Sequence, residues 1–195
     1  MEVVSQGTAR LLLRNLRHSD RDAVAAYRCD AESFRYIGDP MSKAEVAAHV
    51  ARSRYGWSRQ EGEALHLAVE VRETGAVIGE VMARLISHYD RQAEFGVALH
   101  PRLRGQGFGS EALAGLFRYC FEEAGLHRLI GYTDVGNRAS SQMVAALGLR
   151  WEGLLRHNKR RHGQWRDERL VAVVADEWPE LKQRWRRLLT PSLGG

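Results

Sequence analysis

The sequence predicts an α/β fold in which a mixed, mostly antiparallel sheet of about seven strands is flanked by helices. Two hairpin signals support the antiparallel part of the sheet. Strand-like segments meet at the turn Glu73-Thr74-Gly75, and two later segments meet around Gly163. Between these hairpins, a helical stripe separates two further strand-like segments. That pattern is typical of a β-α-β crossover, which places one parallel pair of strands in the sheet.

Each predicted strand is a short run that is apolar or that alternates between apolar and polar residues. The predicted strands cover residues 8–16, 64–72, 76–86, 91–99, 128–134, 149–157 and 165–175. Residues 33–41 are predicted to form a loop.

Capping residues and glycines indicate where the helices begin and end. Ser19 and Ser42 are each followed three residues later by an acid, which is the capping-box pattern of a helix start. Gly125 and Gly148 follow apolar residues at helical spacing and are predicted to end two later helices. The predicted helices cover residues 19–30, 42–54, 110–124, 137–147 and 176–189.

Length and composition favour a single domain, which we expect to span residues 1–195 with its core at residues 8–178. Of the 195 residues, 44% are hydrophobic and 27% are charged, which supplies a sizeable core. No run of about 18 apolar residues is present, so we expect no membrane-spanning helix. The N-terminal segment lacks an apolar signal core, and Cys29 and Cys120 cannot build a disulfide framework. We therefore expect a reducing, cytoplasmic setting.

The formal net charge of +5 permits an acidic partner but does not identify one. The chain has neither zinc-finger spacing nor an RNA-binding motif with interleaved aromatic residues. We therefore expect no metal site, and nucleic acid is not the expected partner. The densest basic segment, residues 157–162, is predicted to lie at the tip of the last hairpin. It is either an ordinary solvated turn or a surface that attracts an acidic partner.

The most informative segment is the sequence Arg-Gly-Gln-Gly-Phe-Gly at residues 104–109. It lies between a predicted strand and a predicted helix, where unpaired backbone amides and the helix dipole favour a phosphate group. Gly105, Gly107 and Gly109 would allow the ligand to approach the backbone closely. No lysine follows, as a Walker loop requires, and the spacing differs from the dinucleotide fingerprint. A tight turn without a ligand is the alternative.

The order of the predicted elements and two motifs together resemble the GNAT superfamily of acyl-CoA-dependent N-acyltransferases. The motifs are residues 100–109 and the segment Asn-Arg-Ala-Ser at residues 137–140. The chain also opens with Thr-x-Arg-Leu-x-Leu-Arg at residues 8–14. The opening motif and Leu-Gly-Leu at residues 147–149 are similar to the Rim-type branch, whose best-known members acetylate the N-terminal amines of ribosomal proteins. The resemblance covers about residues 8–178.

The resemblance implies that acetyl-CoA is the donor and that the glycine-rich loop holds its pyrophosphate. In this family the strand before the loop binds the pantetheine arm and splays away from the next strand, which here would be residues 128–134. Asn137 and Ser140 match positions that contact the pantetheine near the thioester, although both are also good helix-start residues. The implied acetyl-CoA-binding residues are Val97, Ala98, Leu99, Arg104, Gly105, Gln106, Gly107, Phe108, Gly109, Ser110, Asn137 and Ser140.

The catalytic residues follow less directly, because one well-known Rim-type pattern is not kept. Tyr132 stands where that pattern has a glutamate, and Val144 stands where it has a tyrosine acid. Acyl transfer needs a neutral amine, and a general base relieves the cost of deprotonation. We predict Glu94 as the base, since it matches an acidic position common in the branch; a solvated strand-end carboxylate is the alternative. Tyr132 is the predicted proton donor or a packing residue, with weaker support for Ser140 or Ser141.

The acceptor stays open in the sequence, because specificity in such a fold lies in its loops. A protein or peptide N-terminus is the favoured acceptor, and a small amine such as an aminoglycoside, a polyamine or an amino acid is the alternative. Transfer from another acyl-CoA such as succinyl-CoA and a non-catalytic acyl-CoA-binding module are further hypotheses. The basic segment would lie at the lip of the acceptor cleft, and a homodimer is left open.

Overall fold

In a computed structural model, which describes residues 3–190, one eight-stranded sheet lies between two layers of helices. The predicted domain limits, residues 1 and 195, fall outside the described residues. The strands are β1 (Ser5–Gly7), β2 (Leu11–Asn15), β3 (Ala64–Val71), β4 (Val77–Ser87), β5 (Gln92–Leu99), β6 (Arg128–Asp134), β7 (Arg150–Arg161) and β8 (Gln164–Val174). Their order across the sheet is β1-β2-β3-β4-β5-β6-β8-β7.

Neighbouring strands are antiparallel except for β5 and β6, which are parallel. The predicted mixed, mostly antiparallel sheet is therefore confirmed, and it has eight strands because β1 was not predicted. The sequence of β1 is Ser-Gln-Gly, which shows no apolar alternation. Its strand geometry comes from pairing with β2 rather than from its own residues.

Within the described residues the structure has seven α-helices where five were predicted, because a short helix overlaps the predicted loop at residues 33–41 and the tail helix is divided in two. The helices are α1 (Arg21–Arg28), α2 (Ala31–Phe34), α3 (Lys43–Arg52), α4 (Phe108–Arg118), α5 (Arg138–Leu147), α6 (Trp178–Arg184) and α7 (Arg186–Leu189). Helix α4 continues as a π-helical turn, Tyr119–Glu123, and the predicted tail helix is interrupted at Trp185. Within residues 3–190, no helix is long and apolar enough to cross a membrane.

Of the two predicted capping boxes, one is confirmed and one is wrong. Ser42 caps α3: its hydroxyl accepts from the amide of Glu45, whose carboxylate accepts from the amide of Ser42 in return. Ser19 does not cap α1. Asp20 accepts instead from the amide of Arg17 at 2.6 Å, so a 3-10 turn precedes the helix. Asp20 rather than Ser19 takes this position because its carboxylate also binds the buried guanidinium of Arg14 at 2.8 Å.

A separate hydrophobic cluster packs on each face of the sheet. One face is covered by α4 to α7 and includes the neighbouring rings of Phe95, Phe117, Trp178 and Trp185. The other face is covered by α1 to α3 and centres on the fully buried ring of Tyr27. Burying both faces fixes the register of the central strands, because a shift of one residue would exchange the two sets of side chains.

Candidate active site

A gap opens in the middle of the sheet where the two parallel strands separate. β5 and β6 pair only at Gln92, Ala93 and Glu94, whereas β5 stays paired with β4 as far as Leu99. On the far side, β6 stays paired with β8 as far as Asp134. One edge of β5 is therefore free of strand partners from Phe95 onward, as the predicted splay requires.

The free edge of β5 presents backbone groups to the gap at alternate residues. The amide of His100 donates to the carbonyl of Ile78 in β4 at 2.9 Å, which fixes the phase of the antiparallel ladder. By this alternation, the peptide groups of Val97 and Leu99 point into the gap, whereas those of Ala98 point towards β4. Two of the three predicted strand contacts can thus reach a ligand through their backbone.

The glycine-rich loop has the backbone geometry of an anion cradle at the start of α4. Gly105 and Gly107 have φ values of 75° and 80°, in the left-handed region that favours glycine, and α4 begins at Phe108. In the part of the chain that the structure describes, no amide of residues 105–110 donates a hydrogen bond to another residue. Six consecutive residues therefore keep unused backbone donors beside the positive end of the helix dipole.

Gly109 and Arg104 differ from the other predicted loop contacts. Gly109 is helical, and a Cβ atom there would lie 3.0 Å from Sδ of Met143, so this glycine allows α4 to pack closely on α5. The guanidinium of Arg104 donates to the carbonyls of Leu99 at 3.4 Å and Ser33 at 3.2 Å. Arg104 thus holds the loop to the end of β5 and to α2.

Glu111 anchors the loop from below, and the sequence analysis did not identify it. This fully buried carboxylate accepts from the hydroxyl of Thr8 at 2.7 Å and from Nε of Arg10 at 2.7 Å. Arg10 in turn donates to the carbonyl of Gln106 and stacks on the ring of Phe108, 4.3 Å from its centroid. An acid in the first turn of a helix was the available signal, but its partners lie about a hundred residues away in the sequence.

Glu94 and Tyr132 lie on one face of the sheet at the base of the gap. Glu94 is opposite Ile130 at the last paired position of β5 and β6, and Tyr132 is two residues further along β6. Glu94 is ion-paired with Arg84, directly opposite it in β4. Burial, and then the charge of Glu94, raises the pKa of the Tyr132 hydroxyl, whose residue is 36% exposed. The structure therefore brings the predicted base and acid together.

Asn137 and Ser140 meet at the start of α5, beyond the end of β6. The side-chain oxygen of Asn137 accepts from the amide of Ser140 at 3.1 Å and so caps the helix. The hydroxyl of Ser140 lies 3.0 Å from that of Thr133 in β6. The helix-start interpretation of this pair is thus correct. The backbone amide of Asn137 donates to the carbonyl of Asp134 at 2.8 Å, whereas its side-chain nitrogen Nδ2 has no hydrogen bond to the described residues.

The segment between α2 and α3 contacts the last hairpin across the face that carries Glu94. Arg161 is 15% exposed in its side chain; it donates to the carbonyl of Ile37 and, at 2.7 Å, to the buried carboxylate of Glu168. Nearby, His162 lies 3.6 Å from Asp39. These contacts join the segment between α2 and α3 to the last hairpin.

The basic segment is part of the strands rather than a loop at the tip. β7 runs to Arg161 and β8 begins at Gln164, so the turn consists of His162 and Gly163, with φ values of 47° and 79°. Such a two-residue turn matches the twist of a hairpin. The prediction that residues 157–162 form the tip is therefore wrong, because only His162 lies in the turn.

Comparison with known proteins agrees with this architecture. The acetyltransferase (GNAT) domain family matches residues 10–150. The chain is 29% identical over 172 residues to the uncharacterised N-acetyltransferase p20 of Bacillus licheniformis, covering 88% of this chain and 96% of that protein. It is 23% identical over 176 residues to the [ribosomal protein uS5]-alanine N-acetyltransferase of Escherichia coli (strain K12), covering 88% and 91%. Mycobacterium smegmatis RimJ in complex with CoA-disulfide superposes with a TM-score of 0.76 at 23% identity, covering 96% and 98%.

The chain belongs to the GNAT acetyltransferase family. It is an N-acetyltransferase, and its donor is acetyl-CoA. The residues fit this donor, because the cradle offers unpaired amides for a pyrophosphate and the free edge of β5 offers peptide groups for an amide-containing arm.

Proposed function

We propose that this enzyme transfers the acetyl group to the α-amine of a protein or peptide by direct attack in a ternary complex, with Glu94 as the general base. The observation that carries the proposal is the position of Glu94. It stands at the last paired residue of β5 and β6, where the gap for the donor opens, and it shares a face with Tyr132.

An α-amine suits a site that has one carboxylate as its base. The pKa of an α-amine is about 7.7–8.0, whereas that of lysine is about 10.4, so deprotonating lysine near pH 7 costs roughly 3 kcal/mol more. We propose that Glu94 accepts the proton of the incoming ammonium, directly or through one water. Arg84 keeps the carboxylate oriented across the ladder.

Tyr132 is the proposed proton donor to the departing thiolate. Because its pKa is raised, the hydroxyl stays protonated around neutral pH and can donate a hydrogen bond. When bound, acetyl-CoA supplies the activated thioester. Amides of residues 105–110 are proposed to bind its pyrophosphate, peptide groups of Val97 and Leu99 its pantetheine amides, and Asn137 the end of that arm nearest the thioester.

The contact between the last hairpin and the segment around Ile37 supports a slender acceptor. Arg161 links the segment around Ile37 to β7, so the acceptor has to pass beside this contact rather than enter an open cleft. An extended chain end fits that opening better than a branched aminoglycoside. Arg160 remains exposed beside it, and we propose that it attracts acidic acceptors.

A thiol-release screen with acetyl-CoA tests the proposed function. Acceptors would be peptides with free N-termini, the same peptides with blocked N-termini, aminoglycosides, polyamines and amino acids. We expect turnover only with free peptide N-termini. Turnover with polyamines or aminoglycosides alone would replace the acceptor class, and calorimetric binding of acetyl-CoA without turnover on any amine would indicate a non-catalytic binding module.

A further inference from the structure

A second cluster of chemically reactive side chains lies on the face of the sheet that carries Glu94, away from the glycine-rich loop. His49 of α3, His66 of β3 and Glu80 of β4 each place one ligand-type atom within 4.8 Å of the others. Glu80 stands opposite Ala98 in the β4–β5 ladder, four residues from Arg84. The proposed mechanism uses none of these three residues.

The carboxylate of Glu80 is held at both oxygens inside the fold. Nε2 of His49 lies 2.7 Å from Oε1, and Nε of Arg28 donates to Oε2 at 2.6 Å. Burial alone would raise the pKa of Glu80, but the bond with His49 and the charge of Arg28 outweigh it and lower the pKa to about 2. Glu80 is thus a buried carboxylate whose two oxygens are bound by side chains of the protein.

His66 completes the cluster, and one of its two ring nitrogens has no hydrogen bond to residues 3–190. That nitrogen, Nδ1, is buried. The ring stands edge-on to His49, with 4.6 Å between their centroids. In the tautomer with its proton on Nε2, the unpaired Nδ1 offers a lone pair. A buried polar atom without a partner is costly unless something binds it.

A cavity of about 240 Å³ adjoins the two histidines. Its walls include Ser53, Glu63 and Tyr55 as well as His49 and His66. Arg52 also lines this cavity, whereas Glu80 does not, and the cavity volume is large enough for a water molecule beside the two histidines.

We propose that His49, His66 and Glu80 bind a divalent cation of the zinc class, with water from the cavity in the fourth position. Two imidazoles and one carboxylate are a ligand set that Zn²⁺ accepts in tetrahedral geometry. Arg28 on the second carboxylate oxygen would serve as the outer partner that orients Glu80.

Binding requires only small movements of the three side chains. Ligand atoms around a tetrahedral Zn²⁺ lie about 3.3 Å apart, given bonds of roughly 2.0–2.1 Å. Nε2 of His49 and Oε1 of Glu80 would move apart from their present 2.7 Å. The ligand atom of His66, which now lies within 4.8 Å of the other two, would move closer to them. The ion would then connect α3 to β3 and β4, on the face of the sheet that carries Glu94.

Metal binding to untagged protein tests the proposal. After dialysis against a chelator, the wild-type protein is titrated with ZnCl₂ in equilibrium dialysis and with CoCl₂ by visible spectroscopy. We expect about one equivalent of zinc, intense tetrahedral cobalt bands, and a rise in Tm of about 5 °C at saturating zinc. These readouts do not depend on acetyl transfer, so the proposed function can fail without affecting this result.

His66→Gln is the informative variant, because it removes a ligand while leaving the bonds among Arg28, Glu80 and His49 in place. We expect at least a tenfold loss of zinc affinity and loss of the cobalt bands. His88→Gln changes an exposed histidine outside the cluster and should bind like the wild type. Circular dichroism of the metal-free variants checks folding, and His66→Asn replaces H66Q if that variant is unfolded. Absence of stoichiometric zinc in the wild type, or equal affinity in the His66 variant, would overturn the proposal.

Discussion

At the scale of single residues, the proposed mechanism depends on the position of one carboxylate, Glu94, in the β5–β6 ladder. The sequence analysis named both Glu94 and Tyr132 as candidates, but it did not show that they lie close together. Their proximity follows from the parallel register, in which Glu94 pairs with Ile130. A sequence without long-range pairing information does not contain that register. The same limit applies to Glu111, whose partners Thr8 and Arg10 are remote in the chain.

Glu94→Gln should lower kcat with a peptide acceptor by about a hundredfold, since it removes a general base but keeps the shape of the side chain. The KM for acetyl-CoA should stay unchanged. Steady-state thiol release gives both constants. Glu73→Gln, in the exposed turn between β3 and β4, is the matched control and should behave like the wild type. Wild-type turnover by E94Q at every pH would remove Glu94 from the mechanism.

Tyr132→Phe should lower kcat about tenfold by removing the donor to the thiolate. Burial and the charge of Glu94 raise the pKa of this tyrosine, so its hydroxyl loses its proton only above the usual tyrosine range. Wild-type kcat should therefore show no decline from this group between pH 7 and 9, and the ratio of wild type to Y132F should be constant there. Equal kcat values for the two proteins would assign Tyr132 to packing.

At the scale of elements, local signals were predicted well and long-range pairings were not. The glycine-rich loop, the Ser42 capping box and the Gly148 helix end depend on residues a few positions apart, and all three are found in the structure. β1 and the bridge at Arg161 depend on partners elsewhere in the chain. The start of α1 is a different case, because Asp20 binds Arg14 and Arg17, both within six residues, and the capping-box pattern at Ser19 did not indicate these bonds.

Gly107→Ala should weaken acetyl-CoA binding at least tenfold and destabilise the protein by about 1 kcal/mol. The first effect follows from displacing the cradle amides, and the second from a left-handed residue with a Cβ atom. Gly75→Ala carries a similar strain at φ 69°, in a hairpin turn with open space around it. G75A should therefore lose similar stability and keep wild-type affinity. Calorimetry and thermal unfolding separate the two effects, and equal loss of affinity in both variants would contradict the role of the loop.

At the scale of the whole molecule, the two faces of the sheet and its central gap carry different groups of residues. One face carries the large aromatic core, which holds α4 and therefore the glycine-rich loop in place. The other face carries Glu94, Tyr132 and the bridge at Arg161. In the proposed function, donor and acceptor approach this gap from different structural elements. The predicted fold class included the gap, whereas the contact of Arg161 with Ile37 joins segments that are distant in the chain.

Arg160→Glu should raise the KM for acidic peptide acceptors by about three- to tenfold while leaving the KM for acetyl-CoA unchanged. The effect should shrink at high salt, because exposed charges are screened. Arg161 is unsuitable for this test, since its guanidinium is bound to Glu168 and Ile37. Arg186→Glu, an exposed charge reversal on α7, is the control. If R160E and R186E have the same effect, net charge rather than the hairpin attracts the acceptor.

The central claim is acetyl transfer from acetyl-CoA to an α-amine with Glu94 as the base. It is tested most directly by mapping the product on a peptide that carries both a free N-terminus and a lysine. The peptide is incubated with acetyl-CoA and either wild type or E94Q, and fragment masses locate the acetyl group. The account predicts acetylation at the N-terminus by the wild type, slowed about a hundredfold in E94Q. Acetylation at the lysine, or equal rates for the two proteins, would contradict it.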